Sequence, residues 1–226
     1  MDANENLQKQ VQDALKWEPL LHAAEIGVTA IDGVVTLTGI VDSYTKKLQA
    51  EDATKNVSGV KAIVGKIEIK FADSGEKTDH EIANDILSAL KWNWQVPSNK
   101  IKTKVENGWV TLDGELHWNY QREAAKKAID NLKGVKGVSN DIKIIAESQD
   151  EVEKAAIEKA FVRSSSINNK KIQVKVSGNN VRLTGIVDSL FQKEEAARIA
   201  WSAPGVISIN NELEIKHGDE LLGLVE

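Results

Sequence analysis

Histidine, cysteine and paired carboxylates carry most proton transfer and metal binding in proteins, and this sequence uses them sparingly. It has no Cys, which removes thiolate nucleophiles, disulfides and Cys-based zinc or iron–sulfur sites. Its four histidines, His22, His80, His117 and His217, stand in dissimilar contexts without metal-ligand spacing. No G-x-S-x-G, P-loop or G-x-G-x-x-G run occurs. The residues therefore predict no catalytic group, no metal and no cofactor, and so no enzyme. The aromatic residues are more informative. There are six Trp against two Tyr and three Phe, and Trp92, Trp94, Trp109 and Trp118 crowd the middle of the chain. Trp17 and Trp92 read as structural residues at helix ends. Trp109 neighbours inward Val110 on a strand, so a two-residue period sends it to the opposite face. Lys102 and Lys104 alternate with Ile101, Thr103 and Val105 and point to that same face, with Lys100 just ahead. An outward indole beside Lys100, Lys102 and Lys104 has the chemistry to meet an anionic headgroup layer, ring at the interface and ammonium groups at phosphates. The competing reading is a solvated strand face, or a Trp109 that fills a contact between repeats.

Composition sets the wider limits. The chain has 226 residues, 41% hydrophobic and 28% charged, as expected of a folded globular protein. A net charge of −5 argues against broad binding to nucleic acid or to anionic lipid across the whole surface and leaves only a local patch. No apolar stretch approaches the ~18 residues that span a bilayer, and the first residues lack the pattern of an export signal. The expected compartment is the cytoplasm, or the periplasm if an export signal is missing from the sequence.

What must position these residues is a threefold repeat. Leu37-Thr38-Gly39-Ile40-Val41-Asp42-Ser43 recurs letter for letter as Leu183-Thr184-Gly185-Ile186-Val187-Asp188-Ser189, and Leu112-Asp113-Gly114-Glu115-Leu116 is a weaker third copy. Twenty positions after Gly39, Gly114 and Gly185 come the pairs Gly59-Val60, Gly134-Val135 and Gly205-Val206. Each copy opens with an amphipathic helix, read from Leu7, Val11, Ala14 and Leu15 or from Ile82, Ile86, Ala89 and Leu90. Ser148-Gln149-Asp150-Glu151 has capping-box spacing for the third. Alternating runs follow, joined at Asp32-Gly33, Asn107-Gly108 or Gly178-Asn179-Asn180, which are hairpin signals. A second helix with small inward residues (Ala50 and Ala53, Ala125 and Ala128, Ala196) leads to a third strand, read as burying Val64, Ile67 and Ile69, then Val138, Ile142 and Ile144, then Ile207, Leu213 and Ile215. The expected fold is α+β: three tandem αββαβ two-layer sandwiches, each a three-stranded mixed sheet covered on one face by two helices. Boundaries fall at 1–71, 78–146 and 149–217, with an apolar tail at 218–226 expected to dock on a domain. Units of this size are marginal alone and should support one another. Gly39, Gly114 and Gly185 are expected to be structural, at a bulge or close packing, and Gly59, Gly134 and Gly205 to end the second helices.

These glycines within hydrophobic strands, each followed by a Gly-Val at the end of the next helix, resemble the BON family, named for bacterial osmotically inducible and nodulation proteins. The likeness runs from about Leu7 to Lys216. The family's Asn pair ahead of the last strand is matched by Asn210-Asn211, in part by Asn140, and not by Gly65. The resemblance implies a non-enzymatic protein associated with osmotic or envelope stress, binding a phospholipid surface or a protein partner. It also implies an alternative, a cytoplasmic sensor of potassium, a monovalent cation. A second alternative rests on the residues themselves: the outward Ile31, Val34, Ile40 and Ile186 suit a structural self-assembly module.

Overall fold

The computed structural model describes residues 3–21, 26–71, 77–145, 152–167 and 171–216. His22, His217, the capping-box stretch Ser148–Glu151 and the tail 218–226 lie outside the described residues. The chain divides into two compact units, Met1–Gly39 with Gln49–Ile67 and Ser148–Glu226, and Ile40–Leu48 with Glu68–Glu147.

The repeat is realised three times. The first copy runs α1 (Ala3–Lys16), β1 (Ile26–Ile31), β2 (Val34–Val41), α2 (Tyr44–Lys55) and β3 (Ala62–Ile69). The second runs α3 (Asp79–Trp92), a 3-10 turn (Ser98–Lys100), β4 (Ile101–Glu106), β5 (Trp109–Leu116), α4 (Asn119–Ile129) and a split last strand, β6 (Gly137–Asn140) and β7 (Lys143–Ile144). The third runs α5 (Lys154–Arg163), β8 (Ile172–Ser177), β9 (Asn180–Val187), α6 (Leu190–Trp201) and β10 (Ser208–Ile215). The central strand is always the second, with sheet orders β1-β2-β3, β4-β5-β6 and β10-β9-β8. It pairs antiparallel with the first strand, and in the second and third copies parallel with the last.

Central position explains its burial. Val35 and Leu37, Val110, Leu112 and Leu116, and Val181, Leu183 and Val187 are shielded beneath the helices. The helices contribute Val11 and Leu15, Ile82, Ile86 and Leu90, and Ile157 and Phe161. One residue plugs each loop after the first helix: Leu21, Val96 and Ile167, all buried. Ala50, Ala125, Ala196 and Ala200 are fully buried, so the second helix rides close on its sheet.

Two inward readings are corrected. In α4 the buried partner of Ala125 is Ile129, four residues on, and Ala128 is only half-buried. In β3 Val64 is exposed, and the inward position is Ile63. Counting four residues on from each Gly-Val glycine gives Ile63, Val138 and Ile209, all half-buried. Two and four residues further lie Gly65, Asn140 and Asn211, then the buried Ile67, Ile142 and Leu213. Asn140 Nδ2 donates to the Arg122 carbonyl at 2.9 Å and Asn211 Nδ2 to the Lys193 carbonyl at 2.7 Å. The asparagine thus ties the last strand to the helix above it, and it is the family Asn absent from the first copy.

Gly114 sits on the inward side of β5 with φ 151°, where a Cβ would lie 2.2 Å from the Lys100 carbonyl oxygen. At Gly185 the clash with the Lys171 carbonyl is 2.0 Å. The chain entering the first strand crosses so close that only glycine fits.

Within the first unit, Ser58 Oγ and the Gly59 amide both donate to the Asp188 carbonyl, at 3.2 and 3.0 Å, and Lys55 pairs with Glu194 at 3.1 Å. Within the second, the Thr45 hydroxyl lies 2.8 Å from Asn131 Oδ1 and 3.2 Å from the Asp130 carbonyl. In both cases the end of one repeat's second helix meets the start of another's.

Candidate interaction site on the middle repeat

Alternation along β4 and β5 places Lys102, Lys104 and Glu106, with Trp109, Thr111, Asp113 and Glu115, on the face of the sheet away from the helices. Trp109 is 50% exposed. It does not stand free: its Nε1 donates to Ser139 Oγ at 3.2 Å, and a Cβ on Gly137 would lie 2.3 Å from the ring. The indole therefore lies flat across β6, in the space that a glycine opens.

The lysines on this face are matched by acids. Lys104 Nζ is 2.8 Å from Glu106 Oε2, Lys102 is opposite Asp113 in register, and Lys143 is opposite Glu115. Lys100 is not with them. It ends the 3-10 turn, and its Nζ lies 3.0 Å from His117 Nε2, at the end of the sheet where β4 starts and β5 finishes. The face that carries Trp109 is thus balanced in charge rather than basic.

That end of the repeat holds what the sequence reading missed. Trp92 is 86% and Trp94 89% exposed, so neither is a core residue, and Trp17 in the first unit is 85% exposed. The reading of Trp17 and Trp92 as structural is corrected. The helical period contained the signal: with Leu15 or Leu90 inward, a residue two positions on is rotated by roughly 200° to the outer surface. Three tight turns, Val96 N to the Asn93 carbonyl, Ser98 N to Val96 and Lys100 N to Pro97, bring the chain from α3 to β4. The tryptophans are therefore at the same end as Lys100 and His117. Ile145 donates its amide to the Leu116 carbonyl there, and Trp118 and Tyr120 begin α4; all three side chains are exposed. Lys91 and Lys100 have no carboxylate partner among the described residues. Five exposed aromatic or apolar side chains thus lie toward one end of this repeat, a concentration of the kind that marks interaction sites.

The opposite end is polar and self-satisfied. Thr78 caps α3 in a capping box with Glu81, whose carboxyl is held below the usual carboxylate range first by the Thr78 amide and then by its hydroxyl. A cavity of about 240 Å³ opens there, lined by Phe71, Lys77, Asp79, Gly134 and Lys136 among others. Its charges are engaged: Lys77 bonds Asp85, Lys136 lies 5.9 Å from the centre of the Phe71 ring, and both Asp79 oxygens accept backbone amides. Among the described residues no three His, Asp or Glu side chains gather to hold a metal, and no helix is long and apolar enough to cross a membrane.

Comparison with known proteins gives this geometry a family. The BON domain model matches residues 3–70, 78–146 and 149–217. The chain is 29% identical over 138 residues to osmotically-inducible protein Y of Escherichia coli (strain K12), covering 59% of this chain and 69% of that protein. It is 32% identical over 142 residues to a 21 kDa hemolysin of Actinobacillus pleuropneumoniae, covering 62% and 68%. Among solved structures, CdsD, a structural protein of the type III secretion system of Chlamydia trachomatis, pairs with 98% of this chain and 99% of its own at 17% identity and a TM-score of 0.26. Its C-terminal domain gives 16% and 0.25, and superposition this poor carries no inference. With a match in each repeat and a fold that repeats in step with it, the chain belongs to the BON domain family, in three tandem copies.

Proposed function

We propose that this is a non-catalytic, stress-associated protein that docks on anionic phospholipid surfaces through the aromatic end of its middle repeat. Its stress association is supported by three BON domains and by similarity to a protein named for osmotic induction. The observation that carries the docking is the pair of nearly bare tryptophans, Trp92 and Trp94, at the end of the repeat where Lys91 and Lys100 lack acidic partners among the described residues.

An indole brings roughly 150–250 Å² of area to an interface. Withdrawing half of it from water is worth about 2 kcal/mol at ~25 cal/mol per Å², or roughly thirtyfold in affinity. Each lysine near an anionic leaflet adds about 1 kcal/mol. The face around Trp109 offers less, since Lys104 is paired with Glu106 and acids stand opposite Lys102 and Lys143.

Co-sedimentation of the full chain with phosphatidylglycerol or phosphatidylcholine vesicles, at low and high salt, tests the reading. The expected result is binding to the anionic vesicles, weakened by salt, reduced at least tenfold by Trp92→Ala with Trp94→Ala and little changed by Trp109→Ala with Lys102→Ala. Absence of wild-type binding, or a Trp92/Trp94 variant that binds as well as wild type, overturns it.

A further inference from the structure

The first helix of a repeat reaches across to its hairpin. In the second repeat Asp79, the first residue of α3, accepts the Asn107 amide at 2.8 Å and the Gly108 amide at 2.9 Å. In the first repeat Asn4 Oδ1 accepts the Asp32 amide at 2.8 Å. The two turns have the same backbone, with φ 50° and 84° at Asp32-Gly33 and 51° and 79° at Asn107-Gly108. Each clamp therefore holds one carboxylate and one amide, with the places exchanged: Asn4 at the helix and Asp32 in the turn, Asp79 at the helix and Asn107 in the turn.

Asn107-Gly108 is the sole Asn-Gly in the 226 residues, with Asn107 exposed and Gly108 buried beside Asp79. Asn-Gly is the dipeptide most prone to deamidation. The Gly108 backbone nitrogen loses its proton to solvent base and attacks the Asn107 side-chain carbonyl carbon. A new C–N bond closes a five-membered succinimide, and the side-chain nitrogen leaves with an added proton as ammonia. Water then opens either carbonyl of the ring, leaving aspartate or isoaspartate. The sum is one water consumed and one ammonia released, with no change of oxidation state.

The attacking nitrogen is the one that Asp79 holds. A carboxylate 2.9 Å from that N–H stabilises it with its proton on and opposes the anion that must form. We propose that Asn107 is a conditional modification site: it stays an amide while Asp79 clamps the turn and deamidates when the clamp opens. The product then prevents reclosure. Aspartate at 107 sets two carboxylates across a clamp built for one, and isoaspartate adds a backbone carbon to a two-residue turn that cannot take it. Opening of this end of the repeat would thus leave a covalent record.

Peptide mass mapping after incubation of the full chain at mildly alkaline pH reads the gain of about one dalton at Asn107. Folded wild type is expected to deamidate at least tenfold more slowly than wild type in urea. Asp79→Ala should approach the unfolded rate, and Asp79→Asn, which keeps one acceptor oxygen, should fall between them. If circular dichroism shows Asp79→Ala unfolded, Asp79→Asn and the urea comparison decide. Equal rates in folded and unfolded wild type overturn protection, as does a folded Asp79→Asn no faster than wild type. For the product, Asn107→Asp should lower the melting temperature, and Asp79→Asn added to it, which recreates the first repeat's arrangement, should restore it. An Asn107→Asp variant as stable as wild type, or a double variant that is not rescued, overturns the one-way release.

Discussion

The second and third repeats share a core almost residue for residue and differ in what they leave outside it. On the open face of β8-β9-β10, Arg182 forks onto Glu212 with two hydrogen bonds of 2.8 and 2.6 Å, Asn210 donates to the same carboxylate, and Ser208 bonds Asn180. That surface is polar and paired. On β4-β5-β6 the corresponding middle is occupied by an indole lying over Gly137, and the nearby helix end carries two tryptophans with no neighbour over them. The difference teaches that the fold requires only the inner alternation. The outer face and helix ends are free to diverge: the second repeat exposes Trp92 and Trp94, where the third exposes the smaller Val162 and, in part, Phe191.

The shared part of the comparison breaks most easily at the crossing glycines. Gly185→Ala or Gly114→Ala drives a methyl group to about 2 Å from a backbone carbonyl at a positive φ, and each should cost on the order of 3 kcal/mol or more. Thermal unfolding should register the loss in either repeat, whereas Gly178→Ala, strained by its φ of 56° but with open space around it, should cost less, about 1–2 kcal/mol. A silent Gly114→Ala would show the two repeats to be held differently. Next comes Trp109→Ala. Loss of the half-buried ring from Gly137 should remove about 1–2 kcal/mol and, if the proposed docking holds, leave most of any tryptophan fluorescence change on vesicle addition in place. Asn211→Ala and Asn140→Ala should each cost about 1 kcal/mol, seen as a lower urea midpoint of unchanged slope. Agreement between these two would sharpen the claim that the inner architecture is common.

The smallest effect is titratable. The Glu212 carboxyl is held below the usual carboxylate range, chiefly by the Arg182 hydrogen bond. A depressed folded value means that its contribution is complete above the unfolded value, near 4.3, and fades as pH falls through the folded one. Glu212→Gln should therefore lower melting slightly near neutrality, where that contribution is complete, and change it little well below about pH 4, where it has faded. An equal loss at both pH values would mean that the residue acts by packing rather than charge.

Much of this architecture was legible because it is written in short periods. Two-residue alternation located the inward residues of β2, β5 and β9, and Asp-Gly and Asn-Gly located two of the hairpins. The central place of the second strand was not legible, because pairing order depends on where the second helix returns the chain. The third strands were misread at Val64, where adjacent Ile63 and Val64 are equally apolar; counting on from Gly59, or back in steps of two from Ile67 through Gly65, selects Ile63. The tryptophans were misread for a different reason. Trp resembles core by type, and its helical angle from Leu90 shows otherwise. Lys100, Lys102 and Lys104 look equivalent along the sequence, yet a 3-10 turn removes the first from the strand, and acids opposite the other two become visible only when β4 meets β5.

The position of the second strand also orders events in time. Its antiparallel partner lies across a turn of only two residues, so that ribbon can close within microseconds. Its parallel partner arrives only after an intervening helix has formed and a longer stretch of chain has been drawn in, at greater entropic cost. Each copy should therefore assemble from its ribbon outward, its final strand settling last. A chain emerging from a ribosome would hold that strand's place open until almost seventy residues of the copy had been made.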